Sequence, residues 1–128
     1  MTAMRRLYRE RIFDPRFYLL LTLLLVLLVT LTPNPAGNGK PNRVPLRNTG
    51  GPVDLLGNVG LFLPFGMLAS MTLKQKARPG WVRVLLVLGA GLLFSASIET
   101  TQLWLSTRSA DVDDVIFNSC GALLGAML

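Results

Sequence analysis

The run from Phe17 to Leu31, FYLLLTLLLVLLVTL, contains no charged residue and only two threonines and a tyrosine to relieve it. Three more apolar stretches follow it: about Asp54 to Leu73, about Trp81 to Leu105 and about Val112 to Leu128. A helix crossing an apolar layer of roughly 30 Å needs about 20 residues, so four of them with short connections use nearly all of the 128 residues. Charged residues make up 16% of the chain, against roughly 25% in a soluble domain. The expected fold is all-α, an integral membrane bundle of about four transmembrane helices, with no soluble domain large enough to act alone.

Local signals fit that division. Asp14 can cap the first helix, and Pro15 suits its first position. Pro33 and Pro35 end it. A basic N-terminus before an apolar run also resembles a secretory signal, but no A-x-A site follows and further spans do, which favours an uncleaved first span. Pro33 to Pro52 is rich in Pro, Gly and Asn and reads as a polar loop. Pro64 removes a backbone donor from the second span and should kink it, which spanning helices tolerate when neighbours satisfy the freed carbonyl. Trp81 and Trp104 lie near the ends of the third span, where interfacial anchors belong, and Gly89-Ala90-Gly91 gives it a small-residue face. The uncharged part of the last span, Val115 to Leu128, is about 21 Å long as a helix. The last helix is therefore short: it crosses with its acidic start sunk below the surface, or it is a half-helix.

The net charge of +6 does not point to nucleic acid, because the basic residues stand in short runs between apolar stretches, as topology signals do. The single cysteine, Cys120, makes no intrachain disulfide or thiolate metal site, and it reads as a small packing residue. The absence of histidine removes His-ligated zinc and the Ser-His-Asp and Cys-His catalytic arrangements.

Lysine and arginine set the orientation. Arg5, Arg6, Arg9, Arg11, Arg16, Lys74, Lys76, Arg78 and Arg83 fall on one side, and Lys40, Arg43, Arg47 and Arg108 on the other. The richer side is cytoplasmic, so the N-terminus is expected there, and after four crossings the C-terminus too. Asp54, Glu99, Asp111, Asp113 and Asp114 then all map to the outer side. Asp54 and Asn58 share a helix face, as do Ser95, Glu99 and Gln102. Asp111, Asp114, Asn118, Gly121 and Gly125 form one stripe down the last helix, with glycines that allow close approach. Glu99 is expected about 9 Å inside the end of the third span, where a carboxylate costs roughly 2.5–3.5 kcal/mol. Arg108 is its expected partner, or that of Asp114. The plainer reading is that these polar groups fasten the bundle, and that Asp113, off the stripe, belongs to a solvated turn and helix N-cap.

The segments N58-V-G-L-F-L-P-F-G66, E99-T-T-Q102 and R108-S-A-D111-V-D-D114-V-I-F-N118-S-C-G121-A-L-L-G125 together resemble the VanZ-like family of small bacterial membrane proteins. The joint pattern N-x-x-x-F-x-P-x-G, E-x-x-Q, R-x-x-D-x-x-D and N-x-x-G-x-x-x-G carries the resemblance over about residues 53–128. The chain thus divides into residues 1–52, with an N-terminal cytoplasmic segment, the first transmembrane helix and an outer loop, and residues 53–128, the VanZ-like helical core. The resemblance implies a multi-pass protein of the bacterial cell membrane, and its founding member is associated with teicoplanin resistance in Gram-positive bacteria.

Three functional readings follow. In the first, Asp54, Asn58, Glu99, Gln102, Arg108, Asp111, Asp114 and Asn118 form an acidic and amide pocket on the outer side. It would bind or act on an envelope lipid or lipid-linked precursor, with a contribution to glycopeptide resistance. In the second, the protein is a hydrolase or transferase on a lipid-linked phosphate or sugar. Glu99 and Asp114 would be its acid–base pair; no cofactor is predicted, though Glu99, Asp111 and Asp114 could hold a divalent Mg²⁺ or Ca²⁺. In the third, the role is structural or in assembly. A proton or ion path has little to run on, because no acid lies in the cytoplasmic half of any span.

Overall fold

The computed structural model describes residues 14–33, 40–47, 51–74, 79–105 and 108–128. Four helices account for most of them: α1 (Pro15–Leu31), α2 (Gly51–Lys74), α3 (Gly80–Gln102) and α4 (Val112–Met127). No strand occurs among the described residues, although Asn42 and Asp111 pair in an isolated parallel bridge. The chain is all-α, as expected.

The helix boundaries follow local chemistry. Asp14 caps α1 by accepting from the Arg16 N–H at 2.9 Å, with Pro15 at the first helical position. Asp111 caps α4 by accepting from the Asp113 N–H, also at 2.9 Å. The helix α2 continues through Pro64. The helix α3 stops at Gln102, where the chain turns through Leu103 and Trp104. That is three residues short of the expected end at Leu105, because apolar content alone does not register the turn.

The helices α2 and α3 are long and apolar enough to cross a membrane, and only 22% of the most apolar window of each is buried within the protein. A helix in a soluble core would be mostly enclosed. Large apolar side chains instead face outward: Leu20, Leu24 and Leu28 on α1 and Leu93 on α3 are all more than half exposed. Trp81 and Trp104, at opposite ends of α3, are exposed as interfacial anchors are. At 17 and 16 residues, α1 and α4 are each about 25 Å long, under the roughly 30 Å of an apolar layer.

Helix α4 packs most extensively against α2 and then α3, while α1 lies on α2 and touches α3. Matched contacts fix the directions. Asn58 of α2 meets Asp114 near the start of α4, and Ser70 near the end of α2 donates to the Ala126 carbonyl at 3.1 Å, so α2 and α4 run parallel. Ser95 and Glu99 of α3 meet Asn118 and Asp111, so α3 runs the opposite way. Glycine permits the closest of these approaches. A Cβ on Gly121 would collide with the Val59 carbonyl oxygen, one on Gly125 with that of Leu63, and one on Gly66 with that of Ala122. A Cβ on Gly91 would stand 2.7 Å from that of Ala122, whereas Gly89 faces open space, so only part of the expected small-residue face of α3 is used. Phe62, Phe65 and Phe94 fill the interior beside this seam, with ring centroids 5.7–5.9 Å apart, and Val26, Ile98 and Ala122 close around them.

Candidate functional site

The end of α1, the segment 40–47, the start of α2, the end of α3 and the start of α4 meet at one end of the bundle. This follows from cross-element hydrogen bonds at Thr30, Asn42, Leu46, Asn58, Glu99, Gln102, Asp111 and Asp114. The five acids grouped by sequence therefore do share one end, but they divide into separate contacts.

Glu99 is 9% exposed and lies in the last turn of α3. One carboxylate oxygen accepts from the Asp111 N–H at 2.6 Å. With the helix ending at Gln102, Glu99 is about 5 Å from the helix end, shallower than the sequence suggested. Its other oxygen has no hydrogen-bond partner among the described residues. Asp111, besides capping α4, accepts from the Asn42 side-chain amide at 2.9 Å. Backbone bonds from the Asn42 N–H to the Ala110 carbonyl and from the Val112 N–H to the Asn42 carbonyl complete that pairing.

The second group lies between α2 and α4. Asn58 donates to Asp114 at 2.6 Å, and the Asp54 carboxyl lies beside that of Asp114. One turn further in, the Asn118 amide donates to the Ser95 hydroxyl at 2.8 Å, and its own oxygen is buried without a partner. Gln102 points elsewhere. Its amide donates to the Thr30 carbonyl of α1 at 2.9 Å, and its oxygen is also buried and unpartnered.

Three expectations are corrected. Arg108 makes no ion pair with Glu99 or Asp114; its guanidinium reaches the Val29 carbonyl at 3.5 Å. Asp113 is not in a solvated turn: it is 1% exposed and accepts from the Leu46 N–H at 2.5 Å, which holds Leu46 at a positive φ of 60°. Cys120 is exposed on α4 and does not pack inside.

A cleft of about 280 Å³ opens between the end of α3, the start of α4 and the segment 40–47. Ala96, Leu103, Val112 and Val115 give it apolar walls, and Glu99, Asp111, Asn42 and Arg43 supply its polar side. Asp54, Asn58, Gln102, Arg108, Asp114 and Asn118 do not line it. Among the described residues no group of three acidic or cysteine side chains lies close enough together to hold a metal ion. Sequence reasoning missed Asn42 and Arg43. The only trace of them was the proline-bracketed P41-N-R-V-P45 inside a loop that faces an acid-rich helix end.

The family profile described as VanZ/LLP1 matches residues 17–128. The match begins within α1, so it takes in the first helix and the loop as well as the motif-bearing region. The chain is also 30% identical over 87 residues to "Protein VanZ" of Enterococcus faecium, an alignment covering 68% of this chain and 50% of that protein. The similarity thus spans half the length of that relative. No solved structure matches the chain.

Proposed function

The chain belongs to the VanZ/LLP1 family, and on that premise we propose that it is a multi-pass membrane protein whose polar end lies outside the cytoplasm and binds an envelope lipid or lipid-linked precursor. The N-terminus is then cytoplasmic, with nine basic residues on that side against four on the other. The observation that carries the reading is the cleft beside Glu99. It joins an apolar wall to a carboxylate with a free oxygen, as a site for a lipid head group requires. Buried polar bonds between helices also fasten the bundle, but such bonds average about 0.6 kcal/mol in membranes. That return is small for placing a buried carboxylate with an unpartnered oxygen there, since a buried charge is costly unless it is fully paired.

The physiological consequence would be altered tolerance to teicoplanin. A lipoglycopeptide inserts an acyl chain into the membrane, and a protein that engages lipids of the same leaflet competes with or reshapes that insertion. The test is expression in a teicoplanin-sensitive Gram-positive host, with minimal inhibitory concentrations measured for teicoplanin and vancomycin. Wild-type protein raises the teicoplanin value several-fold, and Glu99→Gln at equal membrane abundance returns it to the control level. An unchanged teicoplanin value at good expression, or full activity in the variant, contradicts the proposal.

A further inference from the structure

Resting on the lipid-binding reading, we infer that the cleft between α3, α4 and the segment 40–47 is selective for an amphiphile whose head group carries a primary ammonium beside a phosphate. Three features define that chemistry. Glu99 is buried by nine-tenths, lines the cleft and keeps one carboxylate oxygen without a partner among the described residues. An ammonium N–H donated to such an oxygen makes a charge-assisted hydrogen bond, shorter and stronger than a neutral one. The Asp111 carboxylate stands on the same wall and adds negative potential.

Arg43 supplies the opposite charge. It lines the cleft, is exposed, and makes no hydrogen bond or ion pair with another described residue. A guanidinium presents a planar fork of donors that matches phosphate. A cleft lined by both acids and an arginine that pairs with no other described residue is complementary to a zwitterion, and less so to a purely anionic head group.

The cleft also excludes the nearest alternatives by its lining. Among the described residues no aromatic side chain lines it, so they form no cage of the kind that recognises quaternary ammonium groups, and a trimethylated amine cannot donate to Glu99. Among the described residues no three acids converge to hold a metal. At about 280 Å³ the cleft is at the small end of ligand sites, which run roughly 300–1,000 Å³. It takes a head group and leaves the hydrocarbon chain along Ala96 and Val115 toward the outside of the bundle.

An aminophospholipid carries this chemistry, with its ammonium two carbons from the phosphate oxygen. Purified full-length protein in detergent is titrated with phosphatidylethanolamine, N-acetylated phosphatidylethanolamine, phosphatidylcholine and phosphatidylglycerol of identical acyl chains. Binding is read by native mass spectrometry and by the shift in Tm. Losing one charge-assisted hydrogen bond weakens binding by about tenfold or more. The inference predicts that phosphatidylethanolamine binds at least that much more tightly than its N-acetylated, trimethylated or amine-less counterparts. Glu99→Gln, whose amide oxygen can still accept from the Asp111 N–H, removes the preference. Arg43→Ala, an exposed substitution that leaves the fold alone, weakens binding of the preferred lipid and keeps its amine preference. Equal binding of amine-bearing and amine-free lipids, abolished by Arg43→Ala, overturns this inference while leaving the lipid-binding reading intact. Absence of saturable binding by every lipid overturns both.

Discussion

Asn118 and Ser95 illustrate how a single buried polar contact sets its own cost. The Asn118 amide donates to the Ser95 hydroxyl in a fully enclosed position, with its own oxygen unpartnered. Ser95→Ala would leave that donor without an acceptor, at a cost of about 1–3 kcal/mol. Asn118→Leu would remove the donor and the orphaned oxygen together and keep the same branched heavy-atom skeleton, so its cost should be smaller. Unfolding of both variants in mixed detergent micelles checks the order, and a more stable Ser95→Ala protein would mean that the amide has another acceptor. The sequence placed Ser95 and Asn118 on inward-facing stripes through their spacing with Glu99 and Asp114. It could not show that they bond to each other. The pairing Arg108–Glu99 looked equally reasonable from sequence and is absent, because closeness along the chain does not say where a long side chain turns.

The pairing of elements rests on glycine. Helices α2 and α4 run parallel with backbones close enough that Gly66, Gly121 and Gly125 have no room for a side chain. Gly125→Ala would press a methyl group into the backbone of α2 between Leu63 and Met67. Overpacking of this kind costs about 1–3 kcal/mol. The same change at Gly89, which faces open space, is expected to leave stability unchanged or slightly raised, since alanine is the better helix former. Detergent unfolding of the two variants distinguishes them, and equal effects would contradict the packing described. The four-residue spacing of Gly121 and Gly125 after a polar stripe made this contact legible in the sequence. The boundaries of α1 were legible too, through Asp14, Pro15 and the prolines beyond Leu31. The end of α3 was not, since Leu103, Trp104 and Leu105 continue the apolar run past the turn. The role of Asn42 was also hidden: a polar loop carries no periodicity, and nothing in its composition says that it folds back onto Asp111.

At the scale of the molecule, the gathering of Asp54, Glu99, Asp111, Asp113 and Asp114 at one end followed from alternating spans and is met by the contacts among their elements. Their division was not legible. Asp113 serves the segment 40–47, Asp54 and Asp114 lie between α2 and α4, and Glu99 and Asp111 border the cleft. That division depends on helix rotation of a few tens of degrees, which spacing patterns on a short helix do not resolve. It also concentrates the functional claim on Glu99. The most direct test places a photoreactive benzophenone side chain at Leu103, an exposed residue on the cleft, or at Leu124, an exposed residue near the other end of α4, and records crosslinking to lipid in cell membranes. The account predicts that Glu99→Gln sharply reduces lipid capture at position 103 and leaves capture at 124 unchanged. Equal capture at 103 with and without the Glu99 carboxylate would contradict it.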